Sequence, residues 1–296
     1  GAGIGVGMLT YSTAEPLAHF ANNPDVIMGT TSALERDNLA AAYKWTLLHY
    51  GLTPWGCYAI VGMSLAYFAY CRDMPLTIRS PFTAVLGPET ARRVGAVVDA
   101  AAILATIIGI GVTIGYGVNQ LTFGMHQITA WEWLVSDGKP SLTALSLAVI
   151  LLTLAAMLSA LSGIGRGIRW LSNLNMALSW LLLVIFIVFG ATAFAGEMFV
   201  GGLTEYLRAI PAMSITTWDG GHTPTAQALS DWQSAWTIFY WAWWIAFTPF
   251  VGLFLARVSQ GRTIREYVLG AVLLPAMMCF AWFCIVGGTA LDLELT

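Results

Sequence analysis

The chain has 296 residues, of which 57% are apolar and only 10% charged, against roughly 25% charged in an ordinary soluble domain. The formal net charge of −3 is small, and with no basic patch carrying interleaved aromatics no nucleic-acid partner is expected. Several stretches run about 20 residues with hardly a charge, the length of a bilayer-crossing helix, so the composition predicts an all-α polytopic membrane protein embedded in a lipid bilayer.

In chain order the apolar runs predict helices over Gly1–Leu17, Leu39–Tyr70, Gly95–Tyr116, Leu142–Gly163, Trp170–Ala195, Trp232–Ala256 and Tyr267–Ala290. The second is longer than a straight span needs, and "LTPWG" at Leu52–Gly56 predicts a bend linked to Pro54. Alternate connections divide the basic residues: Arg72, Arg79, Arg92, Arg93, Arg166, Arg169, Arg257, Arg262 and Arg265 on one side, and only Arg36, Lys44, Lys139 and Arg208 on the other. The excess places the first set in the cytoplasm. Two long connections, Ala18–Asn38 and Gly196–Asp231, then face outward, and Gly117–Pro140, with "WEW" at Trp131–Trp133, is expected to lie along the outer interface as a short amphipathic helix. Cys57, Cys71, Cys279 and Cys284 form no CxxC pair and read as free thiols. The chain opens on "GAGIGVG" and stops at "LDLELT", which reads as a piece of a longer protein.

The densest aromatic stretch is "WTIFYWAWWIAFTPF", Trp236–Phe250. At 100° per residue Tyr240, Trp243, Trp244 and Phe247 share one face, while Trp241 points elsewhere. Trp and Tyr in membrane proteins usually mark the headgroup belts, but Trp243, Trp244 and Phe247 fall towards the middle of the span. Large rings at that depth line a cavity or form a packing stripe. A second cluster, "HYGLTPWGCY", brings Tyr50, Trp55 and Tyr58 near the Pro54 bend. Ring faces attract a desolvated cation by about 2 kcal/mol, which suits a quaternary ammonium that has no N–H to donate. No carboxylate adjoins either cluster in the sequence, which argues against a primary-amine site. The alternating glycines of "GAGIGVG" are poor helix formers, read either as close helix packing or as a broken helix that offers backbone groups to a ligand. Glu15, beside Pro16, is an intramembrane acid that either functions or fixes a local turn. His19, His49, His126 and His222 show no ligand-like spacing, and no nucleophile–base pair appears, so an enzyme is not expected.

"WTIFYWAWWIAFTPFVGLFLARVSQGRTIREYVLGAVLLP", with "GAGIGVGMLTYSTAEPL", "HYGLTPWGCYAIVG" and "SGIGRGIRWLSNLNM" in that order, closely resembles the betaine–carnitine–choline transporter family along the whole chain. The resemblance implies a twelve-span protein in which these helices are spans three to nine. It implies a leucine-transporter-like inverted five-helix repeat fold: residues 1–197 a complete first repeat, 198–231 an extracellular connection, and 232–296 the first two helices of the second.

It further implies an aromatic substrate box of Trp243, Trp244 and Phe247 facing Trp55, Tyr58 and Tyr50, with the backbone of Gly3, Gly5 and Gly7 meeting a carboxylate. Choline-preferring relatives tend to carry Asp at the position of Gly7, so its absence favours glycine betaine or a sulfonium analogue over choline. Sodium-driven members hold one ion with carbonyls matching Gly1 and Ile4; a second site would use Thr106 and Phe250, with Ile110 where a Thr is expected. Sodium and proton coupling and sodium-free exchange all occur in the family, and no other cofactor is implied. The implied protein is an osmoprotective secondary transporter of the bacterial cytoplasmic (inner) membrane, a homotrimer, moving its substrate by alternating access. Alternatives are a choline or carnitine transporter or exchanger, and an osmolyte sensor with the same box.

Overall fold

The computed structural model describes residues 2–162 and 169–296, without the side chains of residues 2–4 and of Arg92. Gly1, Gly163 and Arg166, which figured in the expected ion site, span ends and charge pattern, lie outside the described residues. The helices are α1 Ala2–Ala21, α2 Pro24–Ile27, α3 Leu39–Tyr50, α4 Leu52–Cys71, α5 Ser80–Leu86, α6 Pro88–Thr129, α7 Leu142–Leu161, α8 Arg169–Phe189, α9 Thr192–Met213, α10 Pro224–Gln233, α11 Phe239–Val258, α12 Ile264–Val268, α13 Leu274–Trp282 and α14 Gly288–Leu295. Three π-turns, Ser234–Ile238, Leu269–Leu273 and Phe283–Gly287, join helices α10 to α14 into longer rods. Among the described residues five stretches are long and apolar enough to cross a membrane: Arg93–Thr129, Leu142–Leu161, Arg169–Phe189, Pro224–Val258 and Ile264–Leu295. The first two expected spans are not among them. Glu15, His19 and several hydroxyls lower the hydropathy of α1, and the second expected span is split at Gly51.

Contacts divide the chain into two compact units, Gly1–Gly7 with Ile110–Phe189, and Met8–Gly109 with Gly190–Thr296. In the first unit the expected interface helix over Gly117–Pro140 is replaced by a continuation of α6 to Thr129. No proline interrupts that run, and it ends only where Ala130 adopts a left-handed φ of 54° and closes onto the His126 carbonyl. A 3₁₀ turn, Glu132–Leu134, and a hairpin of β1 Val135–Ser136 with β2 Lys139–Pro140 follow. Trp131 and Trp133 stack there and are about half exposed. Helix α8 buries none of its residues although it is apolar from Met176 onward save for Ser179, as expected of a helix whose solvent is lipid.

The second unit contains the core. Helix α1 is continuous through Pro16, so the glycine stretch is helical from Ala2 onward rather than broken, and helical geometry commits the amide of Gly7 to the carbonyl of Gly3. Its C-terminal carbonyls are closed by two buried asparagines: Asn23 donates to His19 O at 2.7 Å and Asn38 to Phe20 O at 2.6 Å. Asp25, just beyond, accepts from Lys44 and from Trp45 Nε1. The segment expected as an outer connection, Gly196–Asp231, is largely helical: it holds most of α9 and most of α10. In α9, Ala195, Met198, Gly202 and Tyr206 recur at helical spacing and are buried. Gly202 lets α9 approach α3, since a Cβ there would lie 2.7 Å from that of Tyr43.

The bend attributed to Pro54 is a break at Gly51, three residues earlier. Pro54 sits in the first turn of α4, where its missing N–H costs nothing. At Gly51 (φ −91°, ψ −146°) a Cβ would lie 2.5 Å from the Tyr206 hydroxyl. That hydroxyl accepts the Leu52 N–H at 2.8 Å, satisfying an amide left without a helical partner. Helices α4 and α11 cross through Gly62 and Gly252, and Tyr267 closes the crossing by donating to Ala59 O at 2.9 Å. Gly51→Ala is therefore expected to lower the thermal unfolding temperature in detergent by several degrees, the effect of an overpacking cost of about 1–3 kcal/mol. Gly56→Ala, whose Cβ would meet nothing within 4 Å, should leave it unchanged or raise it slightly.

Candidate functional site

Helices α4 and α11 bring Trp55, Tyr58 and Trp244 together. The ring centroids of Trp55 and Trp244 are 5.2 Å apart, those of Tyr58 and Trp244 5.0 Å, and those of Trp55 and Tyr58 5.9 Å. Tyr50, at the end of α3, stands edge-on to Trp244 at 6.2 Å. The indole Nε1 of Trp244 donates to the His49 carbonyl at 2.9 Å, so the ring is fixed to the last turn before the Gly51 break. Trp55 Nε1 is buried, with the Cys279 thiol as a polar neighbour but no hydrogen bond of ordinary geometry. Beside this group Leu48, His49, Pro54, Tyr240, Trp241 and Trp244 line a recess of about 140 Å³. It is an open recess with no enclosed room for a ligand, because the rings pack against one another. Trp241 borders that recess.

The single face expected of α11 is divided. Tyr240, Trp244 and Phe247 are buried, whereas Trp243 is half-buried and packs against Tyr11 of α1 and Phe239 at centroid distances of 6.4 and 5.5 Å. Adjacent residues on a helix lie 100° apart, so Trp243 and Trp244 cannot both face α4. Phe247 packs near Gly109 of α6. Gly3, Gly5 and Gly7 belong to the first unit and the rings to the second. Of the residues expected at ion sites, Ile4 lies within helical α1. The Thr106 hydroxyl donates to Ala102 O of its own helix at 2.8 Å and stands 3.5 Å from Ala246 O of α11, while Phe250 is exposed.

A buried polar cluster adjoins the rings; of its acid and two histidines only Glu15 was singled out from the sequence as a functional candidate. Glu15 of α1 is 0% exposed. Its Oε1 lies 2.5 Å from His49 Nδ1 and 3.2 Å from His19 Nε2, and its Oε2 accepts from the Tyr240 hydroxyl at 2.6 Å. His49 Nε2 lies 3.1 Å from the Thr237 hydroxyl, which the π-turn Ser234–Ile238 carries. His49 also stacks on Tyr240 at 4.7 Å, and Tyr240 meets the Tyr50 hydroxyl at 3.4 Å. A carboxylate does stand beside the aromatic group, contrary to the reading of the sequence; it comes from a different helix, which linear neighbourhood does not reveal. His19 lies one helical turn after Glu15, a spacing visible in the sequence, but His49 is 34 residues from Glu15. Among the described residues these three are also the group whose donor atoms, all within 4.8 Å, match the types that bind metals.

A multi-pass helical membrane protein with this order of motifs belongs to a class of transporters. The chain matches the betaine/carnitine/choline family transporter profile (BCCT) over residues 1–296. The chain is a member of that family. It is 37% identical over 295 residues to the glycine betaine transporter OpuD of Bacillus subtilis, covering 99% of this chain and 54% of that protein. It is 38% identical to the osmo-dependent choline transporter BetT2 of Acinetobacter baylyi, over 290 residues, and 38% identical to the high-affinity choline transport protein of Escherichia coli K12, over 291 residues; these cover 98% of this chain and 40% of each relative. The chain thus spans about half or less of the length of the curated relatives it matches.

The bond from Trp244 to the His49 carbonyl can be separated from the ring itself. Trp244→Phe keeps an aromatic face but leaves that buried carbonyl without its donor, and is expected to cost about 1–3 kcal/mol of stability, read as a lower unfolding temperature in detergent.

Proposed function

We propose that the protein takes up a quaternary-ammonium or sulfonium osmolyte, glycine betaine first, across the bacterial cytoplasmic membrane by alternating access, as an ion symporter and homotrimer. The observation that carries this reading is the group of half-buried Trp55 with buried Tyr58 and Trp244 on α4 and α11, with Tyr50 at its edge. Rings of this kind offer electron-rich faces to a methylated onium head, which has no N–H for a carboxylate to bind. Glu15 stands close by, but its oxygens already meet His19, His49 and Tyr240, so it is not offered to a ligand as a free anion.

In the arrangement described the three rings occupy the space themselves, and a cation within about 6 Å of each face needs them to part. Opening on binding is the step alternating access requires, and the Gly51 break allows α4 to move while α3 stays packed on α9. Choline remains the second reading, since the betaine and choline relatives are similarly identical to this chain.

The full-length protein, reconstituted in proteoliposomes, is expected to accumulate labelled glycine betaine more strongly than choline or carnitine, and only with an imposed sodium or proton gradient. Trp244→Leu should raise the apparent KM at least tenfold, the scale of a lost cation–π contact of about 2 kcal/mol. Ligand binding with no counterflow would mark a sensor, and unchanged kinetics in Trp244→Leu would remove the box.

A further inference from the structure

The cluster around Glu15 has a chemistry that the aromatic group does not need. With Glu15 ionised and both histidines neutral, three protons point at the carboxylate: His49 Nδ1–H, His19 Nε2–H and the Tyr240 O–H. His49 Nε2 then accepts from Thr237, while His19 Nδ1 is buried, with the Asn22 backbone as a polar neighbour but no hydrogen bond of ordinary geometry. Trp232 and Trp236 pack against His19 at centroid distances of 5.3 and 4.7 Å and keep water away.

Other elements supply no neutralising charge. The other titratable groups around the carboxylate are Tyr50 on α3 and Tyr240 on α11, and beyond them Tyr11 on α1 and Cys279 on α13 beside Tyr50, all uncharged in their ordinary state. Lys44, elsewhere on α3, is paired with Asp25 at 2.8 Å. Among the described residues no Lys or Arg pairs with Glu15, so the cluster carries one net negative charge at 0% exposure. A buried, uncompensated charge is costly, and the inexpensive remedy is one added proton. The spacing suits a proton better than a metal. Donors around zinc at about 2.0–2.2 Å stand roughly 3.3 Å or more apart, whereas Glu15 Oε1 and His49 Nδ1 are 2.5 Å apart.

We infer that Glu15, His19 and His49 form an intramembrane site for a single exchangeable proton, linked to substrate binding through His49 and Tyr240. The link is structural: the residue whose ring nitrogen faces the proton-taking carboxylate also supplies the carbonyl that fixes Trp244. An onium head at the Trp244 face favours the ionised cluster, so cation and proton compete, binding releases the proton, and the symported ion of the proposed function is then sodium, not this proton. This coupling rests on the proposed function; the proton site itself does not.

The test uses the full-length protein in detergent. Infrared difference spectra across a pH titration, without substrate, are expected to show a protonated-carboxyl band that titrates in the wild type and is absent in Glu15→Gln. His19→Gln and His49→Asn keep a donor nitrogen near the original position but cannot take the proton, and should shift the titration; they carry the comparison if Glu15→Gln does not fold. In weakly buffered solution saturating glycine betaine is expected to release close to one proton per ligand bound, and apparent affinity should fall by up to tenfold per pH unit as pH drops through the titration. Glu15→Gln should flatten that dependence. A band that persists in Glu15→Gln, or tight binding of added Zn²⁺ that His19→Gln abolishes, overturns the site. A titrating band in a protein that binds no onium ligand upholds the site while removing the proposed function.

Discussion

One carboxylate organises the second unit. Glu15 sits in an apolar interior where an unpaired charge is not tolerated, and it gathers donors from three other places in the chain: one turn along its own helix, the end of α3, and the start of α11. A buried hydrogen-bonded charge specifies geometry more sharply than apolar packing does, because every unmet donor or acceptor carries its full desolvation cost. The positions of His49 and Tyr240 follow from it. Through the His49 carbonyl so does the orientation of Trp244, and through Trp244 the arrangement of Trp55 and Tyr58. The aromatic group is thus the outer layer of a polar knot.

Glycine does complementary work at the joints. Gly51 admits the Tyr206 hydroxyl where α3 gives way to α4, Gly202 admits Tyr43, and Gly62 with Gly252 brings α4 and α11 into backbone contact. Large buried rings and absent side chains are therefore paired across each interface, the pattern by which helices associate where lipid removes the usual hydrophobic drive. The break at Gly51 is held by side chains and not by the helix ladder, which makes it the place where α4 can tilt at least cost to the rest of the core.

Much of this was legible in the sequence, and the losses have physical causes. Composition and the motif order identify an all-α membrane protein and its family, and both aromatic clusters do meet. The glycine stretch, read as a possible break, is helical because α1 gains more from packing than the glycines cost. The π-turns could not be seen, since nothing in "SAWTI" distinguishes a π-turn from ordinary helix. The histidines were set aside for want of linear spacing, a criterion that fails when ligating or proton-holding groups come from separate helices. Glu15 and His19, four apart, were the available clue. The amphipathic period of α9 was likewise present but masked by its modest hydropathy, which made it resemble a loop.

The π-turn at Ser234–Ile238 carries a last consequence. Trp232 and Tyr240 both contact the His49 ring, yet eight positions of regular α-helix would leave them about 80° out of step. One residue absorbed by the wider turn reduces the mismatch to about 20°. The turn is a phase corrector: it lets a single rod present its indole above and its phenol below to the same imidazole, and straightening it would rotate one of the two out of register with the buried acid.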